Sequence, residues 1–218
     1  MAGFQRGGGH RCGMEVLCPV GCTLAGVVMG FAGRRLLGRL PRGVALGPPW
    51  CEVAGGALSA LVGWRAGAGL LPWWWLPVPL LLGWLAVPLA SADLARCRLP
   101  DALTLPAYPM LGLAVGLAAV ASSDPALGLR ALAGVLLFGG AHAVVHLIAP
   151  RALGAGDVKL AGSLGAVLGA VGWPALAVAA ALAAVVTLVI ATARRATVAP
   201  HGPGLLLATW LVALFGHR

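Results

Sequence analysis

Eight apolar runs follow one another along the 218 residues, at about 14–33, 51–71, 73–92, 103–121, 126–149, 158–171, 175–193 and 203–216. A helix needs roughly 17–25 apolar residues to cross a bilayer, and most of these runs meet that length. Backbone polar groups in lipid must be satisfied internally, which helices do within a single segment. The expected fold is therefore all-α: a polytopic helical membrane protein with about seven to eight transmembrane helices. The last run, with 14 residues, is marginal. Only 10% of the residues are charged and the mean hydropathy is +0.95, which leaves no stretch for a separate soluble domain. Residues 1–13 are glycine-rich and expected to be disordered, and residues 14–218 form one membrane domain. Arg6 and Arg11 precede the first run as in a signal peptide. Glu15 interrupts its start, however, and no small-x-small cleavage site closes it, so a retained helix is expected.

The net charge of +9 is not a nucleic-acid signature, because the basic residues sit in short clusters between apolar runs, where they set topology. With the N-terminus outside and eight spans, Arg34, Arg35, Arg39, Arg42, Arg96, Arg98, Arg151, Lys159, Arg194 and Arg195 fall inside. Arg6, Arg11, Arg65, Arg130 and Arg218 fall outside, so this orientation has the basic excess on the inner side. Trp73, Trp74 and Trp75 open the third run and are expected to anchor it at an interface. The cysteines, Cys12, Cys18, Cys22, Cys51 and Cys97, form no CxxC pair, and neither a zinc cluster nor a disulfide is expected.

Gly154-Ala155-Gly156-Asp157-Val158-Lys159-Leu160 places a carboxylate and an ammonium at the edge of a run, where charge is costly and therefore points to function. The alternative is a loop in which Asp157 caps a helix starting at Val158. Asp93 lies 64 positions earlier, with two runs between. Two crossings return the chain to the side it left, so both acids lie on one face of the membrane. Two facing aspartates suit peptide hydrolysis. The ionised one takes a proton from an attacking water, while the protonated one donates to the carbonyl oxygen. Like charges this close do not both ionise cheaply, so the pair shares one proton.

Other polar residues have two readings each. Asp101 is either the N-cap of run four or part of the site. His142 and His146 have the i, i+4 spacing of metal ligands, or else hydrogen-bond neighbouring helices. Lys159 either stabilises a nearby charge or snorkels to the headgroups. Glu52 is a helix-start acid favoured by the macrodipole, or a partner for Arg96 or Arg98.

Gly154-Ala-Gly156-Asp157-Val-Lys159-Leu160 resembles the GxGDxKL motif of the type IV prepilin peptidases, a branch of the GxGD intramembrane aspartyl proteases. Asp93, followed seven residues on by Pro100 and Asp101 and then by Leu103-Thr104-Leu105-Pro106, resembles that family's other motif. Arg39-Leu-Pro41-Arg42-Gly43, Glu52-Val-Ala-Gly-Gly and Gly202-Pro203 extend the likeness over about residues 26–216. The resemblance implies that Asp93 and Asp157 are the catalytic pair, with Gly154, Gly156, Lys159, Pro100 and Asp101 as supporting motif residues. It implies no metal and no cofactor. The expected activity is removal of the basic leader from pilin- or pseudopilin-like substrates, at the cytoplasmic face of the inner membrane. Membrane lipid and prepilin-like proteins are the expected partners, and nucleic acid is not. Many members carry an insertion between helices one and two with two CxxC pairs binding zinc, associated with N-methylation. Residues 34–50 are too short for it, so methyltransferase activity is not expected. Two competing readings are a proton-coupled small-solute or metal transporter, with the acids and histidines as a relay, and an inactive assembly scaffold. The acids sit at run ends on one side and the sequence shows no repeat, both unlike a transporter.

Overall fold

The computed structural model describes residues 8–40, 43–150, 153–195 and 199–216, with side chains from Val16 onward. Among them are eight helices and no strand: α1 Gly8–Arg39, α2 Trp50–Gly67, α3 Pro77–Arg96, α4 Asp101–Ser122, α5 Pro125–Ile148, α6 Ala155–Val171, α7 Trp173–Arg194 and α8 Gly202–Phe215. Each coincides with one apolar run. Residues 1–7 of the expected disordered segment, with Arg6, lie outside the described residues, as do Pro41, Arg42, Arg151 and Arg218. Gly8–Gly13 form the first turns of α1, where extending an existing helix is much easier than nucleating one. Arg11 and Glu15 lie within this stretch or just after it, on the same helix.

Proline at the first turn marks the entry to α3, α5, α7 and α8, where its missing N–H loses nothing. Asp124 caps α5, its Oδ1 accepting from the Ala126 N–H at 3.1 Å. The connection from α6 to α7 is Gly172 alone, at φ 148°, a conformation that side chains disfavour. Trp173 and Pro174 begin α7.

Five helices are long and apolar enough to cross a membrane: Val16–Arg39 of α1, and α3, α4, α5 and α7. The chain is thus a multi-pass membrane protein. α2, α6 and α8 are not among them. α6 is buried on every side from Leu160 to Ala170, packed among α4, α5, α7 and α8. At 17 residues it is ~25 Å long, and it can be short because neighbouring helices, not lipid, surround it. α8 is similarly enclosed by α3, α6 and α7. Leu129, Leu132 and Leu136 of α5 and Val185, Leu188 and Val189 of α7 point outward, the pattern of a lipid-facing surface.

Small residues set how closely the inner helices approach. A methyl group on Gly165 of α6 would collide with the Gly134 carbonyl of α5, and one on Gly134 with the Gly165 carbonyl. α1 meets α2 in the same way, with the Gly26 carbonyl 2.5 Å from where a Gly55 Cβ would stand. Two polar contacts pin opposite ends. Arg34 Nε donates to Glu52 Oε1 at 2.8 Å, joining α1 to α2. Glu52 therefore pairs with Arg34 and not with Arg96 or Arg98, because the α1–α2 hairpin brings Arg34 alongside it. At the far end Trp75 Nε1 donates to the Ala213 carbonyl at 2.8 Å. Trp75 is fully buried and only Trp73 is largely exposed, so the tryptophan triplet does not act as one interfacial anchor. The three residues precede α3 in a turn that points them in different directions.

The α5–α6 contact yields a stability prediction. Gly165→Ala places a methyl against backbone that cannot rotate away, so overpacking of about 1–3 kcal/mol is expected. Thermal unfolding in detergent should show a lower midpoint, whereas Gly128→Ala, whose added methyl meets nothing within 4 Å, should not.

Candidate active site

Helix alternation brings the C-terminal end of α3 and the N-terminal ends of α4, α6 and α8 to one end of the bundle. Asp93 stands one turn before the end of α3 and is 4% exposed. Its own carbonyl accepts from the Cys97 N–H at 2.7 Å, and Cys97 then adopts the left-handed conformation that ends the helix. Pro100, with φ −71° and ψ 125°, holds the link extended and leads into α4. Asp157 lies in the first turn of α6, where the helix dipole favours a carboxylate. α6 starts at Ala155 with Gly154 as its N-cap, so Asp157 does not cap a helix beginning at Val158. The glycines before it allow the helix to start earlier than the apolar pattern indicates.

Asp93 and Asp157 line one cavity of about 370 Å³, and their charges are close enough to repel. Both expected motifs meet there, the α3–α4 link through Leu99 and Pro100 and the α5–α6 link through Gly154 and Gly156. Asp157 Oδ1 is buried and accepts no hydrogen bond from the described residues. Asp93 Oδ2 accepts from the backbone N–H of Gly202 at 2.9 Å. Gly202 is the residue whose role the apolar pattern did not reveal. A Cβ there would stand 2.8 Å from Asp93 Oδ2 and 3.4 Å from Leu99 Cδ2, so only glycine admits this approach. Its one sequence signal is Gly202-Pro203 at the mouth of a short run. Gly156 is also tight, with Leu99 Cβ 3.1 Å from an added methyl.

The supporting polar residues divide differently from expectation. Lys159 Nζ donates to Asp101 Oδ1 at 2.8 Å, both side chains being about half exposed. The ammonium is thereby committed to Asp101, at the rim of the cavity. Asp101 is the first residue of α4 and not its N-cap, a place taken by the extended Pro100, and its carboxylate pairs with Lys159 instead. His146 Nδ1 bonds the Leu153 carbonyl at 2.7 Å and so tethers the link into Gly154. His142 Nδ1 bonds the Phe138 carbonyl at 2.8 Å, and its ring lies 6.1 Å from that of His201. The two histidines of α5 thus make separate backbone contacts. No group of three or more potential metal ligands occurs among the described residues.

A model of the type IV leader peptidase family matches residues 80–192, a span that includes both aspartates. A prepilin leader peptidase/N-methyltransferase of Aeromonas hydrophila is 32% identical over 173 residues, covering 73% of this chain and 56% of the relative. Similarly named proteins of Stutzerimonas stutzeri and Pseudomonas aeruginosa are 33% and 31% identical, each covering 78% of this chain and 59% of the relative. The chain therefore spans a little over half the length of these curated relatives. No solved structure is a significant match. The family match extends over more than half of the sequence and encloses the two-aspartate cavity, and on that ground the chain belongs to the type IV leader peptidase family.

Proposed function

We propose that this protein is an intramembrane aspartyl endopeptidase, which removes the basic leader from type IV prepilin-like substrates. The observation that carries this reading is the meeting of Asp93 and Asp157 on a single cavity at the end of a membrane bundle. The unpartnered Asp157 Oδ1 is free to hold a water or a proton, while Gly202 occupies one oxygen of Asp93 and leaves the other to the reaction. The ionised member of the pair takes a proton from water as the oxygen attacks the scissile carbonyl. The protonated member donates to the carbonyl oxygen as the tetrahedral intermediate forms. As the C–N bond breaks, the first aspartate passes the proton it took from water to the leaving nitrogen, and the second regains its proton from the intermediate's hydroxyl. Neither a metal nor a covalent intermediate is needed.

The cavity opens where Arg34, Arg35, Arg39, Arg96, Arg98, Lys159, Arg194 and Arg195 gather, whereas Arg65 and Arg130 lie at the other end. By the positive-inside rule, the site therefore faces the cytoplasm across the inner membrane. The relatives' printed names include N-methyltransferase. We read this chain as a peptidase alone, since residues 40–49 between α1 and α2 carry no CxxC pair.

Asp93→Asn and Asp157→Asn should each abolish leader cleavage of a co-expressed prepilin, seen as loss of the mobility shift, while both proteins still insert in the membrane. Normal processing by either variant would exclude the pair. Asp101→Asn should retain most activity, because it breaks an exposed ion pair worth about 0–1 kcal/mol.

Sharing of one proton predicts a bell-shaped pH profile whose alkaline limb reports its loss. A rate that stays flat from acid to well above neutral pH, with chemistry rate-limiting, is incompatible with the mechanism. Chelators should leave cleavage unchanged, and mass spectrometry should find an unmethylated N-terminus on the processed substrate. Stoichiometric zinc with chelator-sensitive cleavage would overturn the metal-free reading.

A further inference from the structure

Gly202 can hold Asp93 only if the start of α8 is itself held. That helix begins without a side-chain cap: His201 is its N-cap residue, Pro203 has no N–H, and the Leu205 N–H returns to the His201 carbonyl at 3.1 Å. The Gly202 N–H has no intrahelical partner, and it is aimed at Asp93.

What fixes this aim is on α7. Thr187 Oγ1 donates its single proton to the Ala183 carbonyl at 2.8 Å, so towards His201 it is an acceptor. His201 Nδ1, 2.8 Å from Thr187 Oγ1, must then carry the proton and donate it. The same residues mark where α8 and α7 touch. A Cβ on Gly204 would lie 2.6 Å from the Ala183 carbonyl and 2.8 Å from Thr187 Oγ1. The other face of the His201 ring meets the His142 ring at 6.1 Å and 32°, and His142 is fixed by its bond to the Phe138 carbonyl. His201 is thus held between α5 and α7, and its neighbour in sequence is the residue that holds Asp93.

We propose that Thr187 and His201 are a positioning pair, which orients the Gly202 amide on the Asp93 carboxylate through a hydrogen bond from α7 to the α8 N-terminus. This rests on the reading of Asp93 as one of the two reacting aspartates. Burial, and then the adjacent His142, push the His201 imidazole below the usual histidine range, so the ring is neutral near pH 7. A neutral ring with a fixed Nδ1 proton serves as a strut without placing a positive charge beside Asp93.

The test uses the full chain in detergent micelles. His201–Gly202 is the only His–Gly step in the sequence, so carbonyl-¹³C histidine with ¹⁵N glycine gives one amide signal, that of Gly202. In the wild type this proton should resonate downfield, and Asp93→Asn should move it upfield, which assigns the shift to the carboxylate bond. Thr187→Val keeps the shape and removes the acceptor. It should move the same signal upfield and lower kcat on a prepilin substrate by about tenfold with KM unchanged, the pattern of lost transition-state positioning. His201→Leu should do likewise, its Gly202 amide being the one leucine–glycine signal, with carbonyl-¹³C leucine and ¹⁵N glycine, that the wild type lacks. Thr187→Ser and His201→Asn each restore the missing polar atom, the new side-chain amide taking the place of Nδ1, and should return signal and kcat towards wild type. The sequence has no asparagine, so in the His201→Asn variant the Gly202 amide remains uniquely visible with carbonyl-labelled asparagine.

The proposal is overturned if Thr187→Val and His201→Leu leave the Gly202 signal in place, or if His201→Asn is as damaging as His201→Leu. Should Thr187→Val fail to fold, as its other glycine amides would show, His201→Leu and His201→Asn carry the same comparison. Failure of the peptidase reading looks different: Asp93→Asn would still cleave, while the amide shifts would report the strut independently of activity.

Discussion

A buried carboxylate in a membrane bundle must find donors inside the protein, and Asp93 finds one in the backbone of a helix more than a hundred residues away. The Gly202 N–H at 2.9 Å ties α3 to α8, and it does so at the end of the bundle where α6 delivers Asp157. Most of the packing that surrounds the site serves this meeting. α8 reaches Asp93 because Gly202 and Gly204 let its backbone come close to α3 and α7. α6 holds its place because Gly134 and Gly165 let it settle against α5. Between lipid-like surfaces the hydrophobic effect does not drive helices together, so close van der Waals contact through small residues has to.

The arrangement also separates two kinds of helix. α1, α5 and α7 show leucine and valine to the outside, and α6 and α8 are enclosed. Enclosure explains why the shortest helices carry polar groups at their N-termini: their ends meet a protein cavity and not the hydrocarbon. Asp157 at the start of α6 gains the dipole of a helix that is itself shielded from lipid. The Gly202 amide at the start of α8 offers the complementary donor.

Several cations at this end of the bundle have partners other than the two aspartates. Lys159 is held by Asp101, Arg34 by Glu52, and Arg194 donates to the Leu94 carbonyl at 2.7 Å. Of the two readings of Lys159, the structure favours a charge partner, and that partner is Asp101 at the cavity rim. Asp157 Oδ1 is left without a hydrogen-bond partner among the described residues.

Much of this was legible in the order of residues. Apolar runs marked all eight helices, because a membrane allows few alternatives to a continuous helix. The parity of crossings put Asp93 and Asp157 at one end, since two spans return a chain to the side it left. The two motifs each contribute an aspartate to the one cavity. Tertiary structure alone decided what each polar group touches. It moved Asp101 from helix cap to ion-pair partner, gave Glu52 to Arg34, buried Trp75, and set His201 and Thr187 behind the Gly202 amide. The physical reason is that hydropathy and crossing parity fix position along the membrane normal. Rotation of each helix about its axis is set by glycine contacts between segments far apart in sequence, and that rotation chooses the partners.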